Sequence, residues 1–134
     1  MPDRFILTPS FLDQPVPAFL SLARRGDPII RPPLPPADIQ DRLSAIHQPL
    51  AAAIATALGE GLRPISFAGD CCSTLAVAAG LQRQGRQPTL LWLDAHGDFN
   101  TWETTPSGFL GGMPLAMLVG RGEQSMLHTL DLTP

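Results

Sequence analysis

Leu90-Leu91-Trp92-Leu93-Asp94-Ala95-His96-Gly97-Asp98-Phe99-Asn100 is the stretch from which the rest of the chain can be ordered. An apolar run ends abruptly in three groups able to ligate a metal: Asp94, His96 and Asp98. If the run is an extended strand, these alternate residues leave the same face, so their side chains should project together. A mixed carboxylate–imidazole set suits a borderline divalent cation such as manganese, iron or zinc. Two carboxylates at the end of a buried strand otherwise carry a heavy desolvation cost. The plainer reading of the same residues is a hydrogen-bonded polar turn.

Working outward, Thr89–Leu93 is nearly all apolar and bounded by Pro88, which predicts a third strand covered on both faces. Before it, Pro64–Ala68 reads as a strand that runs into Gly69-Asp70-Cys71, and Ser73–Gln84 as a helix of small residues. Further upstream, Ile39, Leu43, Ile46, Leu50, Ala53, Ile54, Ala57 and Leu58 recur at helical spacing, with Gly59 or Gly61 as the stop. Pro49 should kink that helix or split it. Arg4–Leu7 reads as the first strand, and residues 9–36 are proline-rich and irregular, either a surface connection or a linker. After residue 96 comes a polar Gly/Thr/Pro loop to 112, then a helix over Met113–Val119. The strand–helix–strand alternation predicts an α/β domain with a parallel sheet. A right-handed βαβ unit places the turns at Gly69-Asp70-Cys71 and at Asp94–Asp98 on one sheet edge, beyond the carboxyl ends of the strands, where α/β folds bind ligands.

Composition narrows the function classes. The 134 residues suit one small domain, and the 44% apolar content suffices for a core. The net charge is −3 and all nine basic residues are arginine, with no basic stripe for nucleic acid. No apolar stretch is long enough to span a bilayer, and no secretory signal is evident at Met1-Pro2-Asp3-Arg4. The only two cysteines, Cys71 and Cys72, are adjacent, a poor disulfide pair, which makes a reducing cytoplasm the simplest location.

Three motifs in order carry a resemblance. Asp94-Ala95-His96-Gly97-Asp98 resembles the Asp-Ala-His-x-Asp signature of the ureohydrolases: arginase, agmatinase, formimidoylglutamase and their relatives. Ala68-Gly69-Asp70-Cys71-Cys72-Ser73 stands where that family has Gly-Gly-Asp-His-Ser. Ser107-Gly108-Phe109-Leu110-Gly111-Gly112-Met113-Pro114 is similar to the arginase loop Ser-Gly-Asn-x-His-Gly-x-Pro. The resemblance covers roughly residues 62–120. It implies a three-layer α/β/α arginase-like fold, here incomplete: a strand and Pro-rich segment over 1–36 and a partial arginase-like domain over 37–134. It further implies a binuclear manganese centre that activates hydroxide to hydrolyse a non-peptide C–N bond of a guanidino or amidino small molecule. Asp94 would bridge the two metals, His96 would bind one and Asp98 the other. A homo-oligomer is also implied, although half a domain could equally associate through its unfinished edge.

The departures matter as much. Cys71 replaces the family's first histidine ligand, and its thiolate favours zinc or ferrous iron over manganese. Phe109 and Gly111 stand where the arginase loop has its substrate-contacting asparagine and proton-shuttling histidine, so arginine is a poor candidate substrate. The later Asp-rich motif that supplies two more ligands is absent. The alternative is therefore a catalytically silent arginase-like chain serving as a binding or oligomerisation module. A third option is a cysteine-dependent amidinohydrolase using Cys71. Plainer roles are expected elsewhere. Cys72 packs a helix start and Asp70 caps it, His47 and His128 lie on the surface, and Trp92 is core. Trp102, Thr104, Thr105 and Ser107 are pocket or loop residues.

Overall fold

The computed structural model describes residues 1–134. Strand β1 (Asp3–Thr8) is followed by a tight hairpin, β2 (Ser10–Phe11) and β3 (Gln14–Pro15), and by a 3-10 turn over Pro17–Leu22. Helix α1 (Ile39–Gly59) leads to β4 (Arg63–Ala68) and α2 (Ser73–Arg83). A 3-10 turn over Leu110–Gly112 and two short helices, α3 (Pro114–Leu118) and α4 (Ser125–Leu130), complete the chain. No helix is long and apolar enough to cross a membrane.

The sheet is a parallel pair. β1 and β4 align from Asp3 opposite Arg63 to Thr8 opposite Ala68, so both strands end at the same edge. Beyond β1 the chain returns alongside, where Leu7 N donates to Pro28 O at 2.9 Å and Ile30 N to Leu7 O at 2.7 Å. β4 is hydrogen-bonded to β1 alone.

Helix α1 starts where Asp38 accepts a hydrogen bond from Asp41 N at 2.9 Å, a cap contributing about 1 kcal/mol. It then runs through Pro49 without dividing. Pro49 removes one backbone donor, and burial of Leu43, Ile46, Leu50, Ala51 and Ile54 offsets that loss. Helix α2 meets this face with Leu75, Ala76, Ala79 and Gly80, and α4 adds Met126, Leu127 and Leu130 to the same core. His47 belongs to that face as well. It is buried, against the expectation of a surface histidine, because it falls one residue after Ile46 on a helix packed over a wide arc. His128 is exposed, as expected.

The third strand does not form. No backbone group of residues 88–94 is hydrogen-bonded to another backbone group, and the segment lies outside the sheet. Leu91 and Leu93 are 77% and 85% exposed, and Leu90 is half exposed, whereas burial on both faces was expected. An apolar run specifies a need for cover, but a strand exists only where a neighbour takes its N–H and C=O groups. These 134 residues place no such neighbour beside it. Trp92, expected in the core, is half-buried with its indole N–H unpartnered.

Candidate metal centre

The end of β4 builds one wall of the site. Gly69 N donates to Ser10 O at 3.0 Å, and a Cβ at Gly69 would fall 2.3 Å from that oxygen, so only glycine lets the hairpin approach so closely. Asp70 then ties two elements together. Its Oδ2 accepts from Leu12 N at 2.8 Å and its Oδ1 from Cys72 N at 2.9 Å, so it holds the hairpin as well as the start of α2. Burial raises the Asp70 pKa, while the hydrogen bonds from Leu12, Cys72 and Ser73 oppose that rise. Cys72 points into the core and, as expected, packs the beginning of α2.

The second wall comes from the 94–100 segment. Asp94 Oδ1 accepts from His96 N at 2.9 Å and Asp94 Oδ2 accepts from Cys71 Sγ at 3.3 Å. These contacts, the His96 N–H first, hold the Asp94 pKa below the usual carboxylate range. Asp98 adopts a left-handed backbone, φ +46°, one of the few non-glycine residue types that does so readily. Its carbonyl accepts from Leu115 N at 3.0 Å and Ala116 N at 3.3 Å, so the first turn of α3 locks the conformation. Asn100 N to Gly112 O at 3.0 Å closes the loop behind it.

These restraints converge on a three-group cluster. One ligand atom each from Cys71, Asp94 and Asp98 lie within 4.8 Å of one another, about the span of two metal–ligand bonds of 2.0–2.3 Å. Asp98 is only 7% exposed, and its Oδ2 is buried with no hydrogen-bond partner. A buried carboxylate oxygen is rarely left unpaired, because desolvation costs several kcal/mol unless a charge or donor offsets it. The donor set and the orphaned oxygen fit a divalent cation. Burial, and then the neighbouring Asp94 and Asp98 carboxylates, push the Cys71 thiol up to about 12, so without a cation it holds its proton.

His96 stands apart from the cluster. Its side chain is 83% exposed, with Nδ1 3.5 Å from Asp94 Oδ1. The expected common face for Asp94, His96 and Asp98 is therefore not observed. The chain leaves extended geometry after Asp94, and alternation on a strand no longer applies. The convergence of the turn at Cys71 with that at Asp94 and Asp98 is observed, although the run before Asp94 is not part of the sheet whose edge was expected to bring them together. All of them line one cleft of about 550 Å³. Thr105 and Ser107 line it too, whereas Thr104 bonds Asn100 and Trp102 donates to Glu123 at 3.1 Å, outside it. Phe11 lines the cleft from the hairpin and gave no signal in the sequence, because it sits in a proline-rich stretch without periodicity.

The model of the arginase family matches residues 19–129. The chain belongs to the arginase family. It is similar to the arginase of Bacillus caldovelox, 35% identical over 88 residues that make up 66% of this chain and 29% of that protein. Arginase of Brevibacillus brevis is 33% identical over 94 residues, 70% of this chain and 32% of the relative. The fold agrees. The structure of Bacillus caldovelox arginase superposes with a TM-score of 0.77 at 25% identity, over 99% of this chain and 54% of that one. For Bacillus subtilis arginase the TM-score is 0.74 at 26% identity, over 100% of this chain and 52% of the other. The architecture is thus the arginase α/β fold, and the chain spans about half the length of its solved relatives.

Proposed function

We propose that this chain carries the first metal-binding half of a ureohydrolase-type active site, acting on a C–N bond of a small guanidino or amidino compound. The observation that carries the reading is the Cys71–Asp94–Asp98 cluster with its buried, unpaired Asp98 oxygen. Cys71, Asp94 and Asp98 would hold the cation, with His96 swinging in from the cleft mouth as a further ligand. A divalent ion bound there would supply an ionised water near neutral pH and positive charge for a tetrahedral transition state. The protein's own part is to orient and to exclude. Asp94 is aimed by the His96 N–H, Asp98 by the first turn of α3, and the hairpin covers one side of the cleft. Cys71 must lose its proton to ligate, so metal uptake should release a proton and strengthen with rising pH. In manganese-selective sites oxygen and nitrogen donors prevail, and a thiolate shifts preference toward zinc or ferrous iron. The raised Cys71 pKa also disfavours the cysteine-nucleophile option, since the thiolate is the reactive form.

The exposed 88–94 segment supports a second reading, a catalytically silent module that binds another polypeptide or another copy. Metal retention separates the two. After equilibration with zinc, ferrous iron or manganese and exhaustive dialysis, the purified chain should keep a stoichiometric ion. Asp98→Asn should weaken binding by more than the roughly 10–100-fold lost with an outer-shell partner. No retained metal in the parent chain would sink the hydrolytic reading for these residues and leave the module.

A further inference from the structure

We infer that Phe11 and Phe109 form the specificity wall of this cleft, and that it selects a guanidine or amidine borne on an aromatic ring over one borne on an amino-acid chain. This rests on the reading of the cleft as the hydrolytic site. The two rings come from separate elements, the β2–β3 hairpin and the loop before α3, yet both line the cleft that Cys71, Asp94 and Asp98 share. They lie 18° from parallel with centroids 6.3 Å apart, and each is a little under half exposed, 44% and 46%.

Both rings are held in place before any ligand arrives. Gly69 and Asp70 pin the hairpin that presents Phe11. Phe109 O accepts from Gly112 N at 3.1 Å, and the ring lies directly over Gly111. A Cβ at Gly111 would fall 2.5 Å from Phe109 Cε1 and Cζ, so the ring fills the space that a side chain at 111 would need. The bare Gly111 and the aromatic Phe109 are therefore one device: absence of a side chain at one position seats the ring of the other. A pre-placed aromatic face loses little entropy on binding and stacks on flat, polarisable groups. Guanidinium and amidinium ions are planar cations, suited to an aromatic face at one end of the cleft and carboxylates at the other. No arginine lines the cleft, so a ligand's free carboxylate would meet no fixed positive side chain there. The volume, about 550 Å³, accommodates an aryl group beyond the reacting carbon.

Calorimetric titration of the purified chain with phenylguanidinium and with arginine, each with and without prior zinc loading, tests this. Phenylguanidinium should bind about tenfold tighter than arginine, the scale of one aromatic stacking contact. Phe109→Leu keeps apolar bulk and removes the flat face, and should abolish that ratio with the circular dichroism spectrum and zinc retention unchanged. Gly111→Ala keeps the ring but displaces it, and should reduce the ratio as well. Equal or tighter binding of arginine, no binding of either probe, or a preference that survives both substitutions would overturn the inference. Zinc retained without any aryl preference defeats the wall alone. An aryl preference in a chain that holds no zinc leaves the wall standing and defeats the hydrolytic reading instead.

Discussion

His47 sits on the packed face of α1 with 1% of its surface exposed and Nδ1 lacking a partner. Burial lowers its pKa from 6.5 to about 4, because the protonated imidazolium would be stranded away from water. The unfolded chain takes up a proton below about pH 6.5 while the folded chain does not. Stability from this group is therefore present above that pH and is lost as pH falls toward 4, by on the order of 3 kcal/mol. Urea midpoints of the parent chain and His47→Leu between pH 7.5 and 4.5 should diverge, with the variant losing less on acidification. Parallel curves would show that His47 does not titrate as its burial requires. At this same scale, the residues of the candidate site were partly legible. Residue type and order single out Asp94, Asp98 and Cys71, but the direction His96 takes depends on backbone angles that spacing does not encode.

Among the elements, the α1–α2 contact is set by small residues. A Cβ on Gly80 would lie 2.6 Å from Ile54 Cβ and Cγ2 and 2.7 Å from the Ala51 carbonyl oxygen. Helix propensity favours alanine over glycine by about 1 kcal/mol. The clash with backbone and a β-branched side chain should outweigh that gain, since overpacking costs about 1–3 kcal/mol and the helices must separate. Gly80→Ala is expected to lower the urea midpoint by the equivalent of up to about 2 kcal/mol net, measured by circular dichroism. A stabilised variant would mean that the helices cross less tightly. The periodicity of α1, β4 and α2 in the sequence marked these elements to within a few residues. Helix α4 was missed because six residues hold too few turns for a periodic signal, and its apolar side chains gain meaning only against α1.

Across the whole molecule, a parallel pair of strands carries a helical layer while the run at 88–94 stays uncovered. Parallel sheets persist almost only where both faces are covered, and two strands alone are marginal. Exposed Leu90, Leu91 and Leu93 thus make this segment the expected site of association between copies or with another polypeptide. Light scattering during size-exclusion chromatography should report concentration-dependent association that Leu91→Glu/Leu93→Glu suppresses. A chain already monomeric at high concentration, or association untouched by the double substitution, would show that the segment is not the contact. The two substitutions remove no packed side chain, so the thermal midpoint should change little.

What the sequence determined by itself was whatever depends on residue type, local period or motif: the α/β class, the long helix, the strand over Pro64–Ala68, and the family through three ordered motifs. The elements arise from side-chain chemistry repeated at 2 or 3.6 residues and the family from the resemblance of the three motifs, both written into the chain directly. Only the tertiary structure decided that Phe11 faces the cleft, that Asp70 clamps the hairpin, that His47 is buried, and that the apolar run at 88–94 lacks a partner. Each of these depends on which distant backbone lies alongside. A residue carries its polarity and shape wherever it goes, but burial, pairing and direction belong to the neighbours it meets after folding.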